Sequence, residues 1–365
     1  AGALLIFLGS ALAGIALFNL SLVDNHQEMR WLWLASLAAL IAGSFNLGAL
    51  GPPPAEPASP VKRERRVLLL EAAGFLALLA LTIWLRVYRI DQIPPGAFVD
   101  ETNAAVDALY IMEGRPDSPF ATGWFETPNM YAFYLVGLFN LLGTTLIALK
   151  TASLLPAILT VAAIYPLARL LFGIPTALAV CFLLAVNRWH MTMSRWGWNE
   201  VAPLLFMIGA LFFLLRAIRD RRAIDYALAG LLLGLGHYTY LASRLVVLVV
   251  VLYVLYRLVF ERGFWRRTWQ GLLLFLLLYL VAFSPLLLTY ISDPFTFGNR
   301  TQQVSILQDM ALAYDAQAPE LPPWLGDGLV AVGLARELSL QPLIASVQRH
   351  LEMFHVAGDG NPRHN

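Results

Sequence analysis

Long apolar runs separated by short polar stretches fill most of the chain. They lie near 2–22, 31–50, 67–88, 147–171, 176–190, 201–219, 223–242, 245–261 and 268–291. An α-helix needs about 20 residues to cross roughly 30 Å of hydrocarbon, so each run is read as a spanning helix. The first, Ala1 to Leu22, lacks a basic leader and a convincing cleavage site, and reads as a span rather than a signal peptide. Three basic clusters set the orientation. They are Lys62, Arg63, Arg65 and Arg66; Arg216, Arg219, Arg221 and Arg222; and Arg257, Arg262, Arg266 and Arg267. The excess of Lys and Arg in cytoplasmic loops puts all three on the inner face. The segments 89–128, 188–200, 237–244 and everything after Ser292 then face outward. A further apolar run, Met130 to Leu146, would break this parity if it crossed, so 128–145 is read as a helix lying on or dipping into the outer leaflet.

Composition agrees with that class. The chain is 59% hydrophobic, against about 45–50% for a soluble domain. A net charge of +1 without any basic–aromatic patch gives no footprint for a nucleic acid. The one cysteine, Cys181, lies inside an apolar run, so there is no disulfide framework. The expected organisation is all-α. A transmembrane hairpin spans 1–50 and a cytoplasmic Pro-rich linker 51–66. A transmembrane core spans 67–291 with a loop at 89–128, and an extracytoplasmic region follows at 292–365. Both ends read as trimmed.

In so apolar a chain, polar residues on one face stand out. The outward segments carry Asp100, Glu101, Asp107, Glu113, Glu126, His190, Arg195, Asn199, Glu200, His237, Tyr238 and Arg244. A cation at membrane depth is costly unless paired or snorkelling. Arg195 and Arg244, arriving from different helices at one surface, could fork around a phosphate. A carboxylate beside them could act as a general base. Plainer readings stand next to these. Asp100 and Glu101 suit the N-terminus of a loop helix. Arg195 among Trp189, Trp196 and Trp198 suits an interfacial anchor. His350, Glu352, His355, Asp359 and His364 cluster near the end, but their spacing fits neither one helical face nor a zinc-protease register. No P-loop or G-x-S-x-G element is present.

Several of these stretches form a pattern. P-P-G-x-x-x-D-E ends at Glu101, and E-T-P-N-M-Y-A-F-Y covers Glu126 to Tyr134. L-K-T-A-S-L-L-P-A covers Leu149 to Ala157 and W-H-M-T-M-S-R covers Trp189 to Arg195. Y-T-Y-L-A-S-R covers Tyr238 to Arg244, and M-F-H-V-A-G-D-G-N-P-R-H-N closes the chain at Asn365. In this order they resemble the GT-C-type integral-membrane glycosyltransferases, in the branch of aminoarabinose transferases and protein O-mannosyltransferases. The resemblance covers about 67–365 and leaves the hairpin as an addition.

It implies a seven-span core with extracytoplasmic juxtamembrane helices. It also implies inverting transfer of a sugar from a polyprenyl-monophosphate donor to a glycan, lipid or protein acceptor, at the outer face of a bacterial inner membrane. Asp100 would be the base and Glu101 its support. Arg195, Arg244 and Lys150 would hold the donor phosphate. Glu126, His190, Asn199, Glu200 and Tyr238 are the substrate-pocket candidates. No cofactor is implied with certainty, and a divalent metal at Asp100–Glu101 is left open. Thr127 stands where the aminoarabinose branch usually has a lysine, so donor identity does not carry over. An inactive scaffold subunit, with the hairpin as its contact to a membrane partner, and a lipid or solute transporter are the alternatives.

Overall fold

The computed structural model describes residues 1–22, 26–51, 65–115, 117–123, 126–303, 345, 347 and 348. The chain divides into two units, Ala1–Ile291 and Ser292–Asn365. Among the described residues the structure is helical, with two isolated β-bridges and no strand.

Among the described residues the first unit comprises twelve α-helices: α1 (Gly2–Leu22), α2 (His26–Leu47), α3 (Arg65–Val87), α4 (Val99–Met112), α5 (Met130–Leu142), α6 (Leu146–Phe172), α7 (Ile174–Val186), α8 (Arg188–Met193), α9 (Ala202–Asp220), α10 (Ala223–Gly236), α11 (Ser243–Phe260) and α12 (Phe264–Ser292). Seven of them, α1, α2, α3, α6, α9, α11 and α12, are long and apolar enough to cross a membrane. The protein is an integral membrane protein. Two expected spans come out short: α7 has 13 residues and α10 has 14. At 1.5 Å per residue that is about 20 Å of helix, less than the hydrocarbon thickness. Gly173 and Asn187 bound α7, and Arg222 and His237 bound α10. The apolar run 128–145 forms the 13-residue helix α5.

In the second unit, α13 (Pro294–Gln303) follows Asp293, whose carboxylate accepts from the Phe295 amide at 3.1 Å.

The hairpin α1–α2 packs into the first unit, in one cluster with residues of α10 and α12. Its anchor follows from a proline. Pro285, inside α12, lacks the N–H that would bond the Val281 carbonyl four residues back. Trp33 Nε1 of α2 donates to that carbonyl at 2.8 Å, and Ser284 Oγ adds a bond at 3.0 Å. Beside it the Leu286 amide donates to the Tyr238 hydroxyl at 3.3 Å. At the other end of the hairpin a two-bond bridge ties Gly48–Leu50 to the α9–α10 turn: Leu50 N to Arg221 O at 2.7 Å, and Ala223 N to Gly48 O at 2.9 Å. Helices α10 and α12 approach closely at Gly230, where a Cβ would lie 2.1 Å from the Phe275 carbonyl oxygen. Small residues permit such contacts where lipid provides no hydrophobic drive for helix association. Residues 52–64 of the expected linker at 51–66 lie outside the described residues.

Candidate active site at one end of the bundle

The Asp100 loop begins where α3 ends. The last carbonyls of a helix have no partner within it, and near lipid each must find one. Arg195, just beyond α8, supplies three: its Nε donates to Ile93 O at 3.0 Å, Nη1 to Leu85 O at 2.9 Å and Nη2 to Tyr88 O at 2.7 Å. Lys150, fully buried on α6, donates to Ile90 O at 2.9 Å and Pro94 O at 2.7 Å. Two cations, one on α6 and one just beyond α8, therefore hold segment 85–94, which includes a cis Ile93–Pro94 bond. Burial pulls the Arg195 guanidinium below its ordinary pKa. These bonds use three of its five N–H donors, and two of the three on Lys150.

The chain then enters α4, with Asp100 and Glu101 in its first turn. Glu101 is buried. One carboxylate oxygen accepts from the Phe98 amide at 2.5 Å, half of a capping box; the other accepts from the Gly197 amide at 2.6 Å. Glu101 thus performs the helix-capping role and also fastens α4 to the segment two residues beyond Arg195. Asp100, its half-buried neighbour, rides on that turn. Gly197 must be glycine: a Cβ there would lie 2.3 Å from Leu149 Cγ.

Further contacts bring the remaining expected residues to the same end. Asn199, buried after Trp198, donates to the Thr239 carbonyl and so joins this segment to the turn before Arg244. The Arg244 guanidinium lies over the Tyr290 ring, 5.1 Å from its centroid. Thr289 Oγ1, one residue earlier, donates to Phe120 O at 2.9 Å and attaches the turn that precedes Glu126. Glu126 itself has φ +53° beside the Thr122–Pro128 bridge. Glu200 is half-buried in the 3-10 turn Asn199–Val201.

Other candidates serve packing. Tyr238 is buried against Trp33 and Phe120. His190 accepts at Nδ1 from Arg86 Nη2, 2.7 Å away. Arginine only donates, so this contact requires the neutral Nε2–H tautomer. Burial and the Arg86 charge hold the His190 pKa down at about 4. Arg86, which no sequence motif marks, also caps α7 through Ala185 O at 3.0 Å and Leu184 O at 3.4 Å. Nor does a motif mark Gly197; its only trace in the sequence is a lone glycine between two tryptophans.

A cavity of about 20 Å³, room for a water or so, opens beside α4. Asp107, Asn129, Tyr131, Trp198 and Asn199 line it. Burial and the nearby Asp117 raise the Asp107 pKa, against a smaller opposite pull from Arg115. Among the described residues no group of three or more His, Cys, Asp or Glu forms a metal site. The cluster from His350 to His364 lies outside them.

Residues 126–288 match the dolichyl-phosphate-mannose-protein mannosyltransferase family. The expected similarity to GT-C-type glycosyltransferases is borne out. The matched segment runs from the E-T-P-N stretch through most of α12 and begins after α4, so Asp100 and Glu101 rest on their own geometry. Two solved structures also resemble the chain, both of ArnT from Cupriavidus metallidurans. The form bound to undecaprenyl phosphate is 18% identical, with TM-score 0.48, over 69% of this chain and 48% of that one. The apo form is 16% identical, with TM-score 0.48, over 82% and 56%. The chain spans about half the length of those structures. No curated protein sequence matches it.

Proposed function

We propose that the protein is a membrane glycosyltransferase that moves a sugar from a polyprenyl-monophosphate carrier to an extracytoplasmic acceptor with inversion. Asp100 takes the acceptor proton as the hydroxyl attacks the anomeric carbon, and the carrier phosphate leaves. Glu101 positions Asp100 by pinning the first turn of α4. Arg244, with the charge of Arg195 and Lys150 behind it, offsets the charge that grows on the leaving phosphate, an effect often worth about 3 kcal/mol per donor. Glu126, Asn199 and Glu200 stand at the same end as candidate contacts for the sugar.

The observation that carries this reading is the bond from Gly197 to Glu101, which joins the acidic turn to the segment holding Arg195. The family match, whose description names a lipid-phosphate-linked sugar, supports the class of donor. The test is transfer of labelled sugar from a polyprenyl-phosphate donor by purified protein. Asp100→Asn should lower the rate by about a hundredfold or more. Undiminished transfer would remove Asp100 as the base.

A further inference from the structure

At the end of the first unit opposite the Asp100 loop there is an open basin of about 190 Å³. Arg219, Arg221, Arg257, Glu261, Arg267 and Thr268 line it, from the ends of α9 and α11 and the start of α12. Arg257 and Arg267 both bond the single carboxylate of Glu261. Arg219 pairs with Asp220, and Arg216 with Asp225 just beyond the rim. In these pairs four guanidinium groups share three carboxylates: Arg257 and Arg267 divide one between them, which leaves one positive charge in excess at the concavity. Like charges gathered this closely repel unless an anion joins them.

We propose that this basin holds the phosphate headgroup of an anionic phospholipid. Guanidinium forks match phosphate oxygens in pairs. Basic pockets between helices at the cytoplasmic side are suited to such headgroups. The surroundings favour a lipid over a free anion. Val259, Phe260, Trp265 and Trp269 are exposed on the adjoining turns of α11 and α12. Acyl chains can lie along that apolar surface, and the two indoles sit where interfacial tryptophans belong. The site stands apart from the proposed transfer reaction and does not depend on it.

The experiment compares lipid retained by the purified protein, read by native mass spectrometry, after exposure to phosphatidylglycerol and phosphatidylcholine in equal amounts. Inorganic phosphate is added in a separate thermal-shift arm. The wild type should retain phosphatidylglycerol selectively. Arg219→Gln with Arg267→Gln, both exposed side chains, should lower that retention on the order of tenfold. Arg219→Lys with Arg267→Lys keeps the charge but loses the paired fork, and should fall between the wild type and the glutamine pair. Arg266→Gln, a neighbouring arginine outside the lining, should change it by no more than about twofold. If the glutamine pair fails to fold, Arg267→Gln alone gives the same reading with a smaller loss. Equal retention of the two lipids, an equal loss in Arg266→Gln, or stabilisation by inorganic phosphate without lipid selectivity would overturn the proposal.

Discussion

Glu101 is the residue whose replacement tests the site most directly. Its buried carboxylate accepts the Phe98 and Gly197 amides at 2.5 and 2.6 Å. A hydrogen bond to a charged group contributes about 1.5–3 kcal/mol, so the pair holds α4 in place by about 3–6 kcal/mol. Glu101→Gln keeps one acceptor and turns an N–H toward the other amide, which costs about half of that sum. Glu101→Ala leaves both amides without a partner. The assay is hydrogen exchange, resolved to peptides covering 96–101 and 195–199. Each 1.4 kcal/mol of lost local stability speeds exchange about tenfold where opening is an equilibrium. Glu101→Gln should therefore raise exchange at Gly197 by about tenfold to a hundredfold, and Glu101→Ala by more. The remaining helices should keep their protection. Sugar transfer should fall with the loss of protection even though Asp100 is intact. Unchanged protection at Gly197 in both variants would refute the bonding scheme, and full activity in Glu101→Ala would refute its role in positioning Asp100.

Three other outcomes follow from the packing. Gly197→Ala drives a methyl group against Leu149 and should destabilise by about 1–3 kcal/mol in thermal unfolding; adding Leu149→Ala should recover part of the loss. Trp33→Phe leaves the Val281 carbonyl with Ser284 alone and should cost about 1–2 kcal/mol, read as a lower melting temperature. His190 and His237 both titrate near 4 in the folded protein, chiefly through burial and then through Arg86 and Arg244. The unfolded chain binds these protons first as pH falls, so stability is full above about 6.5 and declines toward 4. His190→Gln should remove roughly half of that acid-side slope, and an unaltered slope would contradict its burial as a neutral ring.

The helices were legible because lipid imposes a simple rule, namely apolar length. That rule found all seven long spans, and it missed the lengths of α7 and α10, where termini rather than hydropathy decide. Gly173 ends one helix and begins the next at φ +85°. The acidic turn was legible as a helix start, and Glu101 fills that role. Lys150 and Arg195 were harder. From sequence each is a cation near a membrane surface, and composition cannot say whether its partner is a phosphate, a carboxylate or a carbonyl. The answer depends on segment 85–94 folding back beneath them, contacts 56 to 110 residues apart in the chain. Arg86 was hidden for the same reason, since its partners at 184, 185 and 190 lie about a hundred residues away.

Carbonyl partners and phosphate attraction are compatible demands on the same cation. At the opposite end of the bundle the pairs Arg169–Glu71 and Arg216–Asp225 each cancel charge with charge. A guanidinium bonded to backbone carbonyls is solvated by dipoles instead and keeps its full unit of charge. Five carbonyls of segment 85–94 stand in for the water that Arg195 and Lys150 gave up on burial. The exchange has two consequences. The loop is held rigid at a depth where unsatisfied backbone would otherwise be expensive. The positive field of both groups also persists at that face, where low dielectric makes it reach further than in water. An anionic headgroup drawn to this face would meet a field that is already oriented, without moving either side chain. That is the sense in which residues that shape the loop can also prepare the site.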